Sequence, residues 1–516
     1  MEEEIAINQL LKENVLLRAK AHGLPDVGKR GDHKVFYKNV ENVEKAVRVF
    51  YNEIREIDKN TDNSIPKNSL GGGSPAKFKP FSLALKEINK IINDNNIFEY
   101  PLSAGNEEYR KMIVEYLAQE GFQNNNPYNK KEVIKNGLTI DNIIFTVSTT
   151  HAYTLVLNVI TRPEDVIVMT GPNYGLFTFE PERLNGRVEI INLEKDDNWY
   201  INPKKLAKKI DNINQELREK YKDKNEYIPK VKAFLNTNPH NPLGKVMNSK
   251  HYERLKELSE ECKKRGVFII DDMVYRDLSY DREDLAMPIS TIPNMFRNTI
   301  TLLGLSKSYG LAGIRAGMVI ADEVIIRGVR NRMFQQMDSP PIIQGAALAG
   351  AYNATRERKI EYEKYFDEVI TEYKYRYDLL RAMVDGINTI QDEKTRKMIE
   401  NEIKNEVKNE NEVKLTLEGI PNVKFVDGTE PESGFFAVLD FTKLKGKKYK
   451  EYTITNEIDL LKFYYKYLRV KFFVGESISW PNKEQLVARV TYALERADII
   501  RVFYYINKGA RLLGWK

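Results

Sequence analysis

Lys307 is the residue in this chain that is hardest to explain as a solvated charge. It lies in Thr301-Leu302-Leu303-Gly304-Leu305-Ser306-Lys307-Ser308-Tyr309-Gly310-Leu311-Ala312-Gly313-Ile314-Arg315-Ala316-Gly317, where an apolar strand pattern runs into small residues. Desolvation lowers an amine's pKa and frees it as a nucleophile able to form a Schiff base. Eight residues on, Arg315 offers a planar fork suited to a phosphate. Gly310, Gly313 and Gly317 would admit a close approach of backbone. A structural salt bridge is the plain alternative for Lys307. Three other segments also end an expected strand in polar groups, the place where open α/β sheets hold ligands. Leu235-Asn236-Thr237-Asn238-Pro239-His240-Asn241-Pro242-Leu243-Gly244 has two Asn-Pro pairs, and proline restricts both itself and the residue before it. Such a turn holds an asparagine at a defined angle. Phe268-Ile269-Ile270-Asp271-Asp272-Met273-Val274-Tyr275 drives a buried-looking strand into carboxylates, which is costly unless they meet a cation or donors. A helix cap by Asp271 or Asp272 explains the pair equally well. Phe145-Thr146-Val147-Ser148-Thr149-Thr150-His151-Ala152 runs strand, hydroxyl cluster, helix. That is an anion site at a helix N-terminus, or a simple Ser/Thr cap.

The elements that must position these residues follow from periodicity. Short apolar runs bounded by turn residues predict strands at Ile143–Val147, Val166–Met169, Val188–Leu193, Val231–Leu235, Val267–Ile270 and Thr299–Leu303. Helical spacing predicts helices over 81–93, 106–120, 151–160, 203–220 and 250–265. Strands alternating with helices imply a mostly parallel sheet covered on both faces. Residues 1–65 read as helical up to the polar cluster Asn60-Thr61-Asp62-Asn63-Ser64-Ile65-Pro66. Residues 345–415 read as long, charged helix supported by i,i+4 pairs, and 423–510 as mixed strand and helix.

Composition narrows the classes. The 516 residues are 42% hydrophobic and 30% charged, which is globular and excludes collagenous or largely disordered chains. A net charge of +6 over this length is too weak to argue for nucleic acid. No run of about 18 apolar residues suggests a membrane span. The acidic opening Met1-Glu2-Glu3-Glu4 argues against a secretory signal, and a single cysteine, Cys262, fits a reducing compartment, so a cytoplasmic location is expected. Five histidines without cysteine partners or an H-E-x-x-H pattern give no reason to expect a metal. Gly71-Gly72-Gly73-Ser74-Pro75-Ala76 formally matches a dinucleotide fingerprint, but a polar loop precedes it where a strand is required.

Taken together, in this order, the segments resemble the fold-type I pyridoxal-phosphate enzymes, and within them the class I/II aminotransferase family, over about residues 66–510. The carrying residues are Asn-Pro-His-Asn-Pro-Leu-Gly, Asp272-x-x-Tyr275, Ser306-Lys307 with Arg315, and Arg489 in Ala488-Arg489-Val490-Thr491. The resemblance implies an α/β fold, with a mostly parallel, seven-stranded-type sheet in a large cofactor domain and a smaller α+β domain formed by the chain ends. The expected boundaries are 1–65 for an N-terminal helical extension and 66–340 for the large domain. Residues 341–516 would form the small domain, with a charged helical insertion near 390–415. The implied cofactor is pyridoxal 5'-phosphate, bound to Lys307 as a Schiff base. Asp272 would pair with the ring nitrogen, Asn241 and Tyr275 with the ring hydroxyl, and Tyr174 would stack on the ring. Thr149, Thr150, Ser306 and Arg315 would hold the phosphate, with Tyr100 reaching in from a second subunit of a homodimer. Arg489 would clamp the substrate carboxylate, beside Asn241, Gly72 and Gly73. The implied reaction is ping-pong transfer of an amino group between an amino acid and a 2-oxo acid.

This chain departs from the family pattern at three places near the phosphate and the Asn-Pro turn. Ser148-Thr149 stands where a glycine turn is usual, Gly304 replaces a common hydroxyl residue, and Leu243 replaces a threonine. The same residues permit decarboxylation, elimination or cyclisation, or oxidation, and a catalytically silent sensor domain is a further alternative.

Overall fold

The computed structural model describes Ile57 and residues 67–75, 78–94, 97–125, 133–223 and 227–514. The expected N-terminal extension lies outside them, apart from Ile57. The elements described here belong to the unit Asn60–Lys516. Its strands are β1 (Asn68–Ser69), β2 (Ile143–Val147), β3 (Val166–Gly171), β4 (Arg187–Asn192), β5 (Val231–Thr237), β6 (Phe268–Asp272), β7 (Thr299–Gly304), β8 (Ala316–Ile320), β9 (Lys424–Phe425), β10 (Phe436–Asp440), β11 (Lys448–Tyr449), β12 (Tyr452–Thr453), β13 (Val470–Lys471), β14 (Phe473–Val474) and β15 (Val487–Thr491).

Seven of them form one sheet in the order β2-β8-β7-β6-β5-β3-β4. The neighbours from β4 through β7 are parallel, while β8 runs antiparallel to both β7 and β2. The mostly parallel sheet is therefore as expected, with one reversed strand that periodicity did not mark. Strands β3, β5, β7 and β8 are almost wholly buried, which is why they read as continuous apolar runs rather than alternations. Edge strand β4 is only partly buried and carries Arg187 and Glu189, charges that discourage pairing with another chain.

Helices cover both faces. Helix α1 (Ser148–Ile160) packs with the Ile144, Ile270 and Leu302 side, and α2 (Pro203–Tyr221) and α3 (Tyr252–Lys264) with the Phe234 and Ile269 side. Helix α2 shows why such segments fold where they do. Asn202 caps it by accepting from the Lys204 and Lys205 N–H groups, Pro203 occupies its first turn, and Leu206, Ile210, Ile213 and Leu217 recur on its buried face. The long charged region expected near 345–415 is broken into Ile342–Tyr352, Ala354–Glu357, Lys359–Asp385, Glu393–Val407 and Glu410–Leu417, because Gly386 and Lys408 take positive φ between the longer pieces.

A second sheet, antiparallel in the order β14-β15-β10-β9, sets Arg489 opposite Phe473 on one side and Val438 on the other. The parallel pair β1–β13 leads the chain past it into Gly71-Gly72-Gly73, tied by the Thr491 N–H to the Leu70 carbonyl at 3.1 Å. No helix among the described residues is long and apolar enough to cross a membrane.

The turn after β5 is held by Asn238, whose side chain donates to the Met247 carbonyl at 2.8 Å and accepts from the Met247 N–H at 2.9 Å. Truncation strands both buried backbone groups. Asn238→Ala is expected to lower stability by about 2 kcal/mol in denaturant unfolding.

Candidate active site

Direction decides which residues can meet. Strands β2, β3, β5, β6 and β7 all finish at one edge of the sheet, and each is followed at once by polar residues: Ser148 to Thr150, Tyr174, Asn241, Tyr275, and Ser306 with Lys307. Because β8 is reversed, it begins at that same edge, and Arg315 is the residue just before it. The small sheet supplies Arg489 from β15, and the loop after β1 supplies the glycines.

Lys307 is partly buried, and its Nζ donates to the Gly73 carbonyl at 2.5 Å rather than to a carboxylate. Loss of water, then the nearby Arg489 and Arg315 cations, bring its amine down to about 8, against the opposing pull of Asp272. Asp272 is buried and accepts from the Val274 N–H at 3.3 Å. Burial pushes its carboxyl up to about 7, Asp271 adds to the shift, and the Val274 bond and Lys307 oppose it. Tyr275 is buried beside them, and its hydroxyl is pushed far up by burial with Arg489 opposing. The Tyr174 hydroxyl, raised by burial, lies within electrostatic reach of Arg489, Asp272 and Arg315. These mutual influences place Tyr174, Asp272, Tyr275, Lys307, Arg315 and Arg489 around one centre.

Arg489 is buried and spread between two rings, with its guanidinium carbon 4.2 Å from the Phe436 centroid and 4.7 Å from that of Phe473. Its Nη1 donates to Asn241 Oδ1 at 3.2 Å and its Nη2 to the Gly71 carbonyl at 3.0 Å, while Nε is buried without a partner. Desolvation brings it down to about 10. The bond to Oδ1 leaves the Asn241 amide nitrogen as a donor facing the other way. Next to Asn241, the buried His240 ring bonds Thr170 Oγ1 at 3.1 Å and ties this turn to the one carrying Tyr174. A Cβ on Gly73 would sit 3.2 Å from Lys307 Nζ and crowd it, whereas Gly72 faces open space.

At the head of α1, Arg315 Nη2 donates to Ser148 Oγ at 2.8 Å. The helix has no Ser/Thr side-chain cap; the Val147 N–H donates instead to His151 Nδ1 at 3.2 Å. Ser148 holds φ +76° and Arg315 φ +59°, left-handed conformations of non-glycine residues that cluster at functional sites. A Cβ on Gly304 would lie 2.9 Å from Thr149 Cγ2, so Thr149 fills the volume that a hydroxyl residue at 304 would take. Ser306 is buried nearby in sequence, and Thr150 is exposed. Tyr100 is 88% exposed and is not brought to this centre by its own chain. Sequence reasoning placed Ser148 in the hydroxyl cluster without its bond to Arg315, and did not assign Gly71, Phe436 or Phe473 as contacts of Arg489. Phe473 had no signal at all, since only strand pairing sets it against Arg489.

Residues 69–399 match the aminotransferase class I and II family. The chain is 27% identical over 326 residues to a probable N-acetyl-LL-diaminopimelate aminotransferase of Bacillus subtilis (strain 168), covering 63% of this chain and 71% of that protein. It is 24% identical over 327 residues to an aspartate aminotransferase of Musicola paradisiaca, covering 62% and 69%. Across the first relatives, the matched stretch spans 66 to 71% of their own length. In fold, it is similar to the aspartate aminotransferase from Rhizobium meliloti, with a TM-score of 0.68, 17% identity, and coverage of 91% of this chain and 96% of that one. An aromatic aminotransferase from Pyrococcus horikoshii gives a TM-score of 0.62 at 18% identity, covering 88% and 98%.

The approach of β8 to the head of α1 depends on Gly317, where a Cβ would fall 2.6 Å from the Ser148 carbonyl carbon and 2.7 Å from the Thr149 nitrogen. Backbone cannot yield as a flexible side chain does. Gly317→Ala is therefore expected to cost about 2 kcal/mol of stability in denaturant unfolding, with displacement of Ser148.

Proposed function

The chain belongs to the class I and II aminotransferase family, whose cofactor is pyridoxal 5'-phosphate, and we propose that it moves an amino group between an amino acid and a 2-oxo acid in a ping-pong cycle anchored on Lys307. The observation that carries this reading is the state of Lys307: an amine kept from water, bonded to a carbonyl and brought down to about 8. Such an amine is largely neutral at mildly alkaline pH, as a nucleophile must be.

The residues fit the cofactor. Asp272 is a buried carboxylate raised to about 7 in want of a cation, which a protonated ring nitrogen supplies. Asn241 Nδ2 and the Tyr275 hydroxyl are donors for the ring hydroxyl oxygen, and Tyr174 is the aromatic face. Arg315, Ser306, Thr149 and Thr150 near the head of α1 would make an anion site, and the bond from Arg315 to Ser148 supports including Ser148.

Bound there, pyridoxal phosphate supplies an electron sink that acidifies the substrate's Cα–H bond. The chain's own residues do the rest. Arg489 holds the α-carboxylate with its free Nε and its remaining Nη protons, pinned at its other edge by Asn241 and Gly71 so that the fork does not turn. Gly72 and Gly73 keep the approach to Lys307 open. Lys307 Nζ would take the proton from the substrate's Cα and hold it for return. A homodimer belongs to the same proposal. Phe98, Tyr100 and Leu102 are exposed together, an apolar stretch suited to a second copy in which Tyr100 reaches the partner's phosphate site. A cytoplasmic location accords with the free, buried Cys262.

The experiment is the visible spectrum of the cofactor-loaded protein, taken alone and with each common amino acid. Bleaching by one amino acid, release of its 2-oxo acid and recovery with a second 2-oxo acid is the expected result; a band that no amino acid changes would sink the proposal. Lys307→Ala should retain the fold by circular dichroism yet lose about 10³-fold or more in turnover. With cofactor-free protein, the rate of covalent cofactor attachment should climb as pH rises towards about 8 and level off above it, because only the neutral amine attacks. A rate equal at pH 6 and pH 9 would contradict the shifted amine.

A further inference from the structure

Asp271 has no task in this chemistry, yet it is fully buried one residue before Asp272. Alternation along β6 turns it to the opposite face of the sheet. Ile269 shares its face with Phe234 and Ile289, while Ile270 shares the Asp272 face with Leu235, Ile300 and helix α1. One Asp271 oxygen accepts from Asn236 Nδ2 at 2.8 Å and the other from the Ile289 N–H at 2.9 Å. Both donors are neutral, and Asn236 is its cross-strand neighbour in register. A donor on each oxygen is what an ionised carboxylate accepts. An asparagine could bond the same two partners, with the Asn236 amide turned to accept rather than donate, at far lower desolvation cost. Packing therefore does not account for the charge.

We propose that Asp271 is a positioning residue acting through Asp272: from the far face of the sheet its charge deepens the negative potential at the cofactor's ring-nitrogen site and tightens the hold on a protonated ring. This rests on the aminotransferase reading. In the low-dielectric interior, two successive carboxylates repel: burial is the main cause that lifts Asp272 to about 7 and Asp271 adds to it, while burial pushes Asp271 itself to about 6. A cation at the Asp272 carboxyl relieves that repulsion, and a neutral ring does not. Asp271 thus favours the ionic form of the cofactor in which the ring is the better electron sink.

The test uses Asp271→Asn, which removes the charge and keeps the shape. The Asn236 amide rotates to offer its oxygen to the new amide, and the Ile289 N–H keeps its acceptor. Cofactor-free wild-type and variant proteins are titrated with pyridoxal 5'-phosphate and with its 1-deaza analogue, which has carbon in place of the ring nitrogen. The expected result is about tenfold weaker binding of pyridoxal phosphate, the scale of a one-unit change in proton affinity, with binding of the deaza analogue unchanged. Equal weakening of both ligands makes Asp271 merely structural and overturns the proposal, as does unchanged binding of both. Wild-type protein that binds neither ligand removes the cofactor reading and the proposal with it. Should Asp271→Asn not fold, Asp271→Ser removes the same charge and is read by the same pair of titrations.

Discussion

Shielding Lys307, Asp272 and Arg489 from water around one site, without pairing them off, is the constraint the rest of this structure serves. Desolvation brings the lysine down to about 8 and the arginine to about 10, and it pushes the aspartate up to about 7. A direct ion pair would cancel these shifts and leave no reactive amine. The fold avoids that pair by giving each charge a neutral hydrogen-bond partner: the Gly73 carbonyl for Lys307, the Val274 N–H for Asp272, and the Gly71 carbonyl with Asn241 for Arg489. The opposed charges are thereby left unpaired with one another.

That arrangement needs two sheets. The large one aims its strand ends at the site, and its reversed strand β8 delivers Arg315 to the edge where the parallel strands finish. The small one carries Arg489 in the centre of an antiparallel sheet, under rings from Phe436 and Phe473. The segment from Asn68 to Gly73 joins them, pairing with Val470 and Lys471 and then offering carbonyls to both Arg489 and Lys307. Moving either sheet would part the two cations, because one short run of backbone touches both.

The departures from the family pattern become compensations once packing is visible. A side chain at Gly304 would run into the Thr149 methyl group and the Ala316 carbonyl, so the usual hydroxyl residue has no room there. Ser148 takes the left-handed turn expected of a glycine, and Gly317 across from it gives up its side chain so that the backbones can meet.

What the sequence alone determined is local and chemical. Apolar runs ending in polar residues located β2, β3, β5, β6 and β7 closely. Residue type with spacing singled out Lys307, Arg315, the Asn-Pro turn with Asn241, and Asp272, since charged and polar groups at the ends of buried strands are costly unless something meets them there, whereas Arg489 came only from the resemblance to the family. Tertiary structure decided whatever depends on pairing across long separations. The direction of β8 was not legible because five residues with one glycine carry too little periodicity, and the partner of a strand is not encoded within it. For the same reason, Phe473 over Arg489, Thr149 over Gly304 and the turning of Asp271 to the far face emerged only in three dimensions. Burial, which sets the proton affinities, is a property of the assembled fold: an aspartate after three apolar residues reads the same whether it caps a helix in water or stands beneath a sheet.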